Sequence, residues 1–144
     1  PWVLRPDARF TALCTRCGDC ARACPDGLLR AGDGGFPEIR FERGGCTLCG
    51  ACREACPSAA FDARQPAFTA RVQVGAQCLA ERGVECRVCA DACDTGALRF
   101  RPQAGGVWRL QTALEACNGC GACVAPCPVA AITVRGSGPA PVEG

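Results

Sequence analysis

The sequence contains no histidine, no lysine, no methionine and no tyrosine. Aromatic residues are few, six Phe and two Trp in 144 residues. Each absence excludes something. Without histidine there is no imidazole base, no Ser–His nucleophile and no Cys–His zinc site. No phosphate-cradling glycine loop is present either, so the chain reads as a non-enzyme. No apolar stretch approaches the roughly 20 residues of a spanning helix, and no signal peptide is visible. All sixteen cationic residues are arginines, against fourteen acidic ones, for a formal charge of +2. They are scattered rather than clustered, which argues against nucleic acid as a partner. Four of them, Arg16, Arg22, Arg53 and Arg87, lie among the cysteines described below and read mainly as solvated charge.

What the sequence has is cysteine: sixteen in 144 residues, about 11%. Such usage points to a disulfide scaffold or a metal protein. With cysteine left out, only about 38% of the chain is apolar. An ordinary core would be thin, so the cysteines or what they bind must supply part of the folding free energy.

The cysteines form four groups of four: Cys14, Cys17, Cys20, Cys24; Cys46, Cys49, Cys52, Cys56; Cys78, Cys86, Cys89, Cys93; and Cys117, Cys120, Cys123, Cys127. Groups one, two and four read C-x2-C-x2-C-x3-C-P, closed by Pro25, Pro57 and Pro128. The chain is therefore four copies of one unit. Three cysteines at i, i+3 and i+6 wrap three thiolates around one small object, and the loop aims backbone N–H groups at it. The fourth, at i+10, points away, and in two-cluster ferredoxins it ligates the other [4Fe–4S] cluster. The proline turns the chain aside.

That rule assigns four [4Fe–4S] clusters. Cluster one takes Cys14, Cys17, Cys20 and Cys56; cluster two takes Cys46, Cys49, Cys52 and Cys24. Cluster three takes Cys78, Cys86, Cys89 and Cys127; cluster four takes Cys117, Cys120, Cys123 and Cys93. At about −2 per cluster, the holoprotein carries a net charge near −6. Disulfides are disfavoured because C-x2-C-x2-C packs three cysteines into one turn, where mutual pairing is strained. Zinc favours paired C-x2-C knuckles, often with histidine. The third group departs from the rule: its first gap is seven residues, Leu79–Glu85, and Asp94 replaces the proline. Cys78 still counts as a ligand, and the longer loop should alter the exposure and hydrogen bonding of cluster three, its potential and its lability.

Short β-like runs flank Gly-rich turns: Leu28–Arg30 with Glu38–Phe41, and Leu98–Arg101 with Val107–Leu110. Arg71–Val74 and Ile132–Val134 are further strand candidates. Helical turns are expected at Ala21–Ala23, Arg53–Ala55, Ala90–Ala92 and Val124–Ala125. Gly18, Gly50, Gly119 and Gly121 should supply room and positive φ beside the clusters, while Trp2 and Trp108 read as packing. The predicted fold is α+β: two tandem bacterial-ferredoxin-like modules, residues 1–68 and 69–135, each with two short β-hairpins and two short helices around two clusters. The modules should pack through 57–77, and 136–144 should be a flexible tail.

With the motifs placed, the sequence resembles the NapF family of ferredoxin-type proteins, accessory proteins of the periplasmic nitrate reductase system. The likeness runs from Pro1–Trp2 to about Arg135. Its specific part is CLAERGVECRVCADACDTGALRFRP at 78–102; CTRCGDC at 14–20, AGDGGFP at 31–37 and ACNGCGACVAPCPVAAIT at 116–133 also fit. The resemblance implies a cytoplasmic protein with four [4Fe–4S] clusters, whose partner is the catalytic molybdoprotein of the nitrate reductase. The implied role is maturation of that subunit before export, by loading its [4Fe–4S] cluster or setting its redox state. The alternative is an electron-transfer module passing single electrons to a reductase or dehydrogenase. The resemblance also implies a basic extension before the Pro-Trp in relatives; this sequence begins at the Pro-Trp.

Overall fold

The computed structural model describes residues 8–61, 67–68 and 70–135. Trp2 and the tail 136–144 lie outside the described residues, as do 62–66 and 69 of the segment expected to join the modules.

The four-fold repeat is visible in the backbone. Three residues after each fourth cysteine the chain takes a left-handed conformation: Gly27 (φ 64°), Ala59 (52°), Gly96 (68°) and Ala130 (51°). Two of these are alanines, for which that region costs about 1–2 kcal/mol. The turn then delivers two buried residues inward each time: Leu28–Leu29, Ala60–Phe61, Ala97–Leu98 and Ala131–Ile132. Apolar burial of these pairs offsets the strain.

Among the described residues each half has one hairpin. β1 (Leu29–Ala31) pairs antiparallel with β2 (Pro37–Ile39), Leu29 opposite Ile39. β4 (Leu98–Pro102) pairs with β5 (Trp108–Thr112), Phe100 opposite Leu110. Consecutive glycines at positive φ close both turns, Gly34–Gly35 and Gly105–Gly106. The expected second hairpin is absent from both halves among the described residues. In the second half, β3 (Arg71–Val74) pairs instead with β6 (Ile132–Arg135), joining that half's first and last strands. In the first half, helix α1 (Ala8–Leu13) stands where β3 has its counterpart. There Phe10 meets Phe61 edge-on at 5.2 Å, and Phe61 holds the place of Ile132 in the repeat.

Among the described residues three further α-helices are present: α2 (Asp19–Ala23), α3 (Ala51–Glu54) and α4 (Val88–Asp91). They begin just before the third cysteine of each group and enclose it, rather than following it as predicted. In the fourth group the expected helix is only a pair of turns, with Val124 N–H donating to Gly121 C=O and Cys127 N–H to Val124 C=O. Pro126 stands where the other groups have alanine, and it supplies no N–H to carry the helix on.

Two buried clusters form the cores. Phe10, Cys20, Leu29, Ala60 and Phe61 fill the first half. Val72, Cys89, Leu98, Cys123 and Ile132 fill the second. Between them runs a seam that was expected only in part. Cys46 N–H donates to Cys120 C=O at 2.7 Å. Gly45 lies flat against Ala122, Phe41 packs edge-on to Phe68 at 6.3 Å, and Phe68 and Ala70 press on Gly119. The expected segment 57–77 supplies Phe68 and Ala70; the loop 41–46 meeting 119–122 supplies the rest.

Candidate metal centre

The local fold around the cysteines follows from a recurring backbone turn. Two positions after the first cysteine, the chain is left-handed at Arg16 (φ 59°), Leu48 (60°) and Gly119 (77°). Two residues further on it is left-handed again, at Gly18 (78°), Gly50 (78°) and Gly121 (74°). Alternating right- and left-handed residues gather successive N–H groups into an anion-binding concavity. Two of these donors reach sulfur: Arg16 N–H to Cys14 Sγ and Leu48 N–H to Cys46 Sγ, both 3.4 Å. Positive φ was foreseen for the glycines but not for Arg16 or Leu48, whose side chains gave no signal of it. Gly119 and Gly121 also face the seam, where a Cβ would strike Phe68 and the Phe41 ring.

The tertiary fold brings cysteines from different groups together. Burial pushes the Cys20 thiol up, and the charges of neighbouring Cys14, Cys17 and Cys56 push it further. Cys52, half-buried beside Cys46, Cys20 and Cys24, is raised to about 11. Cys46 is raised by burial and by nearby Cys24 and Cys49. In the second half Cys89, buried beside Cys78 and Cys86, is raised to about 11. Cys123, buried beside Cys120, Cys93 and Cys117, is raised to about 12. These neighbourhoods follow the crossed assignment: Cys56 approaches the first group, Cys24 the second and Cys93 the fourth. Cys127 packs against the second core with Cys93 and Cys117, so its place beside Cys78, Cys86 and Cys89 rests on spacing.

The fourth cysteines sit in a different environment. Burial pushes the Cys56 thiol up. The Ser58 hydroxyl and the N–H groups of Ala60, Ser58 and Phe61 outweigh it, and the thiol is lowered. Cys93 is lowered in the same way, burial being outweighed by the Thr95 hydroxyl and the N–H groups of Leu98, Ala97 and Gly96. Ala131 N–H donates to Cys127 Sγ at 3.3 Å. The turn after the fourth cysteine thus cradles a thiolate as well as delivering the buried pair.

The donor set fits iron–sulfur clusters. All sixteen cysteines are free thiols. Cys14, Cys17, Cys20 and Cys56 line one cavity of about 220 Å³, while Cys24, Cys46, Cys49 and Cys52 line another of about 20 Å³. Among the described residues no three Cys, Asp or Glu close tightly enough around one point to hold a single metal ion. Tetrahedral zinc would need its sulfurs about 3.8 Å apart, given Zn–S bonds near 2.3 Å. Around the first of these cavities, thiols ranged about a space with the Arg16 N–H on Cys14 Sγ suit an anionic group larger than a single ion. The second brings its four cysteines together with room for about one water.

Of the arginines near the cysteines, Arg16 lies over the Phe36 ring and donates to Gly34 C=O, and Arg22 pairs with Asp19. Trp108 is largely exposed beneath the Arg87 guanidinium. Among the described residues no helix is long and apolar enough to cross a membrane.

Comparison with known proteins agrees with this geometry. The family described as "4Fe-4S dicluster domain" matches residues 13–60 and again 82–131. The chain is 48% identical to the ferredoxin-type protein NapF of Haemophilus influenzae over 136 residues, 94% of this chain and 77% of that protein. It is 42% identical to NapF of Escherichia coli K12, over 94% of this chain and 82% of that protein. An uncharacterized protein of Haemophilus influenzae is 39% identical over a similar span. With its twice-matched dicluster domain and its likeness to these proteins over nearly its whole length, the chain is an iron–sulfur protein and belongs to the NapF family of ferredoxin-type proteins.

Proposed function

We propose that this chain binds four [4Fe–4S] clusters in two modules, 1–68 and 69–135, and acts as a cytoplasmic, non-catalytic accessory protein. Its partner is the catalytic subunit of periplasmic nitrate reductase, which it matures before export. The observation that carries the cluster reading is the meeting of Cys56 with the first group, Cys24 with the second and Cys93 with the fourth. Bound, the clusters supply one-electron chemistry or a preassembled metal unit. The chain's own residues hold the thiolates, aim N–H groups at sulfur and tie each module shut by crossed ligation.

The seam between the halves orders the sites. Cys46 of cluster two and Cys120 of cluster four are joined by one backbone hydrogen bond. Crossed ligation joins one to two and four to three. The series therefore runs one, two, four, three.

Anaerobic purification should give about 16 iron and about 16 sulfide per chain; zinc or a much lower sulfide content refutes the cluster reading. Deleting the gene should leave the nitrate reductase poorly active even with excess reduced viologen as donor. Full rescue by viologen would refute maturation and favour the plain electron carrier.

A further inference from the structure

We propose that the third cysteine group is the site from which a cluster is handed to an acceptor protein, through the groove beside Cys86. The proposal rests on the four-cluster, maturation reading above and adds to it where the exchange occurs.

The first observation is the backbone. Gly18 and Gly50 precede α2 and α3 in the left-handed conformation, and Gly121 holds the matching place in the fourth group. The matching residue in the third group is Arg87, at φ −127°. No residue from 84 to 95 has a positive φ. The N–H-gathering turn of the other three groups is missing here. Fewer donors then offset the sulfur charge, and the iron–thiolate bonds of this site exchange more readily.

The second observation is the insert Leu79–Glu85. It winds back on itself, with Val84 N–H donating to Leu79 C=O at 2.9 Å, and turns at Gly83 (φ 81°), where no neighbour crowds the chain. It parts Cys78, which is buried, from Cys86, which lines an open groove of about 390 Å³. The insert forms one wall of that groove, and the tip of the β4–β5 hairpin forms the other. Val84 and Val107 are each 51% exposed and Trp108 45% exposed. The Arg87 guanidinium stacks on Trp108 at 4.4 Å and stands 5.8 Å from Phe100, fixing the hairpin tip over Cys86. Exposed apolar side chains gathered at one groove mark a contact surface. Exposure alone does not single out this group, because Cys86 is half-buried while Cys17 and Cys49 are exposed. Those two, however, sit in N–H-gathering turns. The third site, like the first, lies at an end of the series one, two, four, three, so its loss leaves the other sites joined.

The occupant that fits is an apo-protein loop carrying four reduced cysteines among apolar residues. Exchange needs no oxidant. Four iron–thiolate bonds to Cys78, Cys86, Cys89 and Cys127 break as four form to the acceptor. The acceptor thiols release four protons, the departing thiolates take up four, and the oxidation state of the metal is unchanged.

The test uses the anaerobically purified, cluster-loaded full chain. It is challenged with a ferrous chelator, quenched with iodoacetamide at intervals and mapped by peptide mass spectrometry. Cys78, Cys86, Cys89 and Cys127 should be alkylated first, about tenfold faster than the other twelve, as about a quarter of the iron leaves. Early alkylation of another set, or of all sixteen together, overturns the assignment of the site. In a second arm the chelator is replaced by the apo catalytic subunit of the nitrate reductase. Iron should reach it from the third set, and Trp108→Ala should slow transfer severalfold while leaving the order of chelator extraction unchanged. Early loss to the chelator with no iron reaching the acceptor overturns the hand-over, while the exchange order stands. The maturation reading, which also includes setting the partner's redox state, falls only to full rescue by reduced viologen.

Discussion

Gly45→Ala probes the seam between the halves. A Cβ at Gly45 would stand 2.6 Å from the Cα and Cβ of Ala122 and 2.7 Å from its backbone nitrogen. Carbon atoms in contact stand about 3.5–4.0 Å apart, so the two segments must part by about 1 Å. Because the obstacle is backbone, no side chain can swing aside. The Cys46–Cys120 hydrogen bond, 2.7 Å long, would then stretch beyond useful range. Overpacking costs about 1–3 kcal/mol and the lost bond about 0.5–1.5 kcal/mol, together about 1.5–4.5 kcal/mol. For a chain of this size that lowers the apparent melting temperature by about 5–15 °C. The assay is an anaerobic thermal scan at fixed rate, following the visible absorption of the clusters and the far-ultraviolet dichroism together. Gly105→Ala is the control: its φ is 90° but nothing lies within 4 Å, so it carries only conformational strain of about 1–2 kcal/mol. If Gly45→Ala melts within about 2 °C of the parent, or no lower than Gly105→Ala, the close approach of the halves is wrong.

Cys56→Ser should damage the site formed by Cys14, Cys17 and Cys20 rather than the one formed by its own group. Alkylation mapping reads this directly, and selective exposure of Cys46 and Cys49 would refute crossed ligation. Cys78→Ser should cost about 4 of about 16 irons, and an unchanged iron count with unaltered spectra would remove Cys78 from the ligand set. Phe10→Ala should destabilise the first half by about 3 kcal/mol or more, because Phe10 and Phe61 close that half where the second uses paired strands. Its absorption loss on heating should therefore become biphasic. Burial holds Cys52, Cys89 and Cys123 near 11–12, so these thiols are protonated at neutral pH and must ionise to bind iron. Cluster reconstitution of the apo chain should accelerate as the pH rises from 7 to 9, and a rate that falls over that range would contradict this.

Much of this protein was legible from cysteine spacing. The repeat and the expected mates Cys56, Cys24 and Cys93 follow from one rule, because a short loop can face only one cluster and its fourth cysteine must face another. The two hairpins follow instead from β-like runs on either side of Gly-rich turns. Helix placement was less legible. Helices α2 and α3 enclose their third cysteines because left-handed Gly18 and Gly50 just before them start the helical turn. Helix α4 follows Arg87, which is not left-handed, and the left-handed conformation at Arg16 or Leu48 leaves no mark in residue type. Pro126 could have warned that the fourth helix would fail.

The sequence by itself determined the ligand chemistry and the fold of each unit, since both depend on contacts a few residues apart or on a repeat that imposes its own pairing. The tertiary structure decided how the two halves close and meet. The β3–β6 pairing, the Phe10–Phe61 contact and the seam of Gly45 on Ala122 join residues 51 to 77 positions apart. Local pattern is silent about such contacts. They depend on which faces remain apolar, and which backbones can approach without a Cβ between them, once the units have formed.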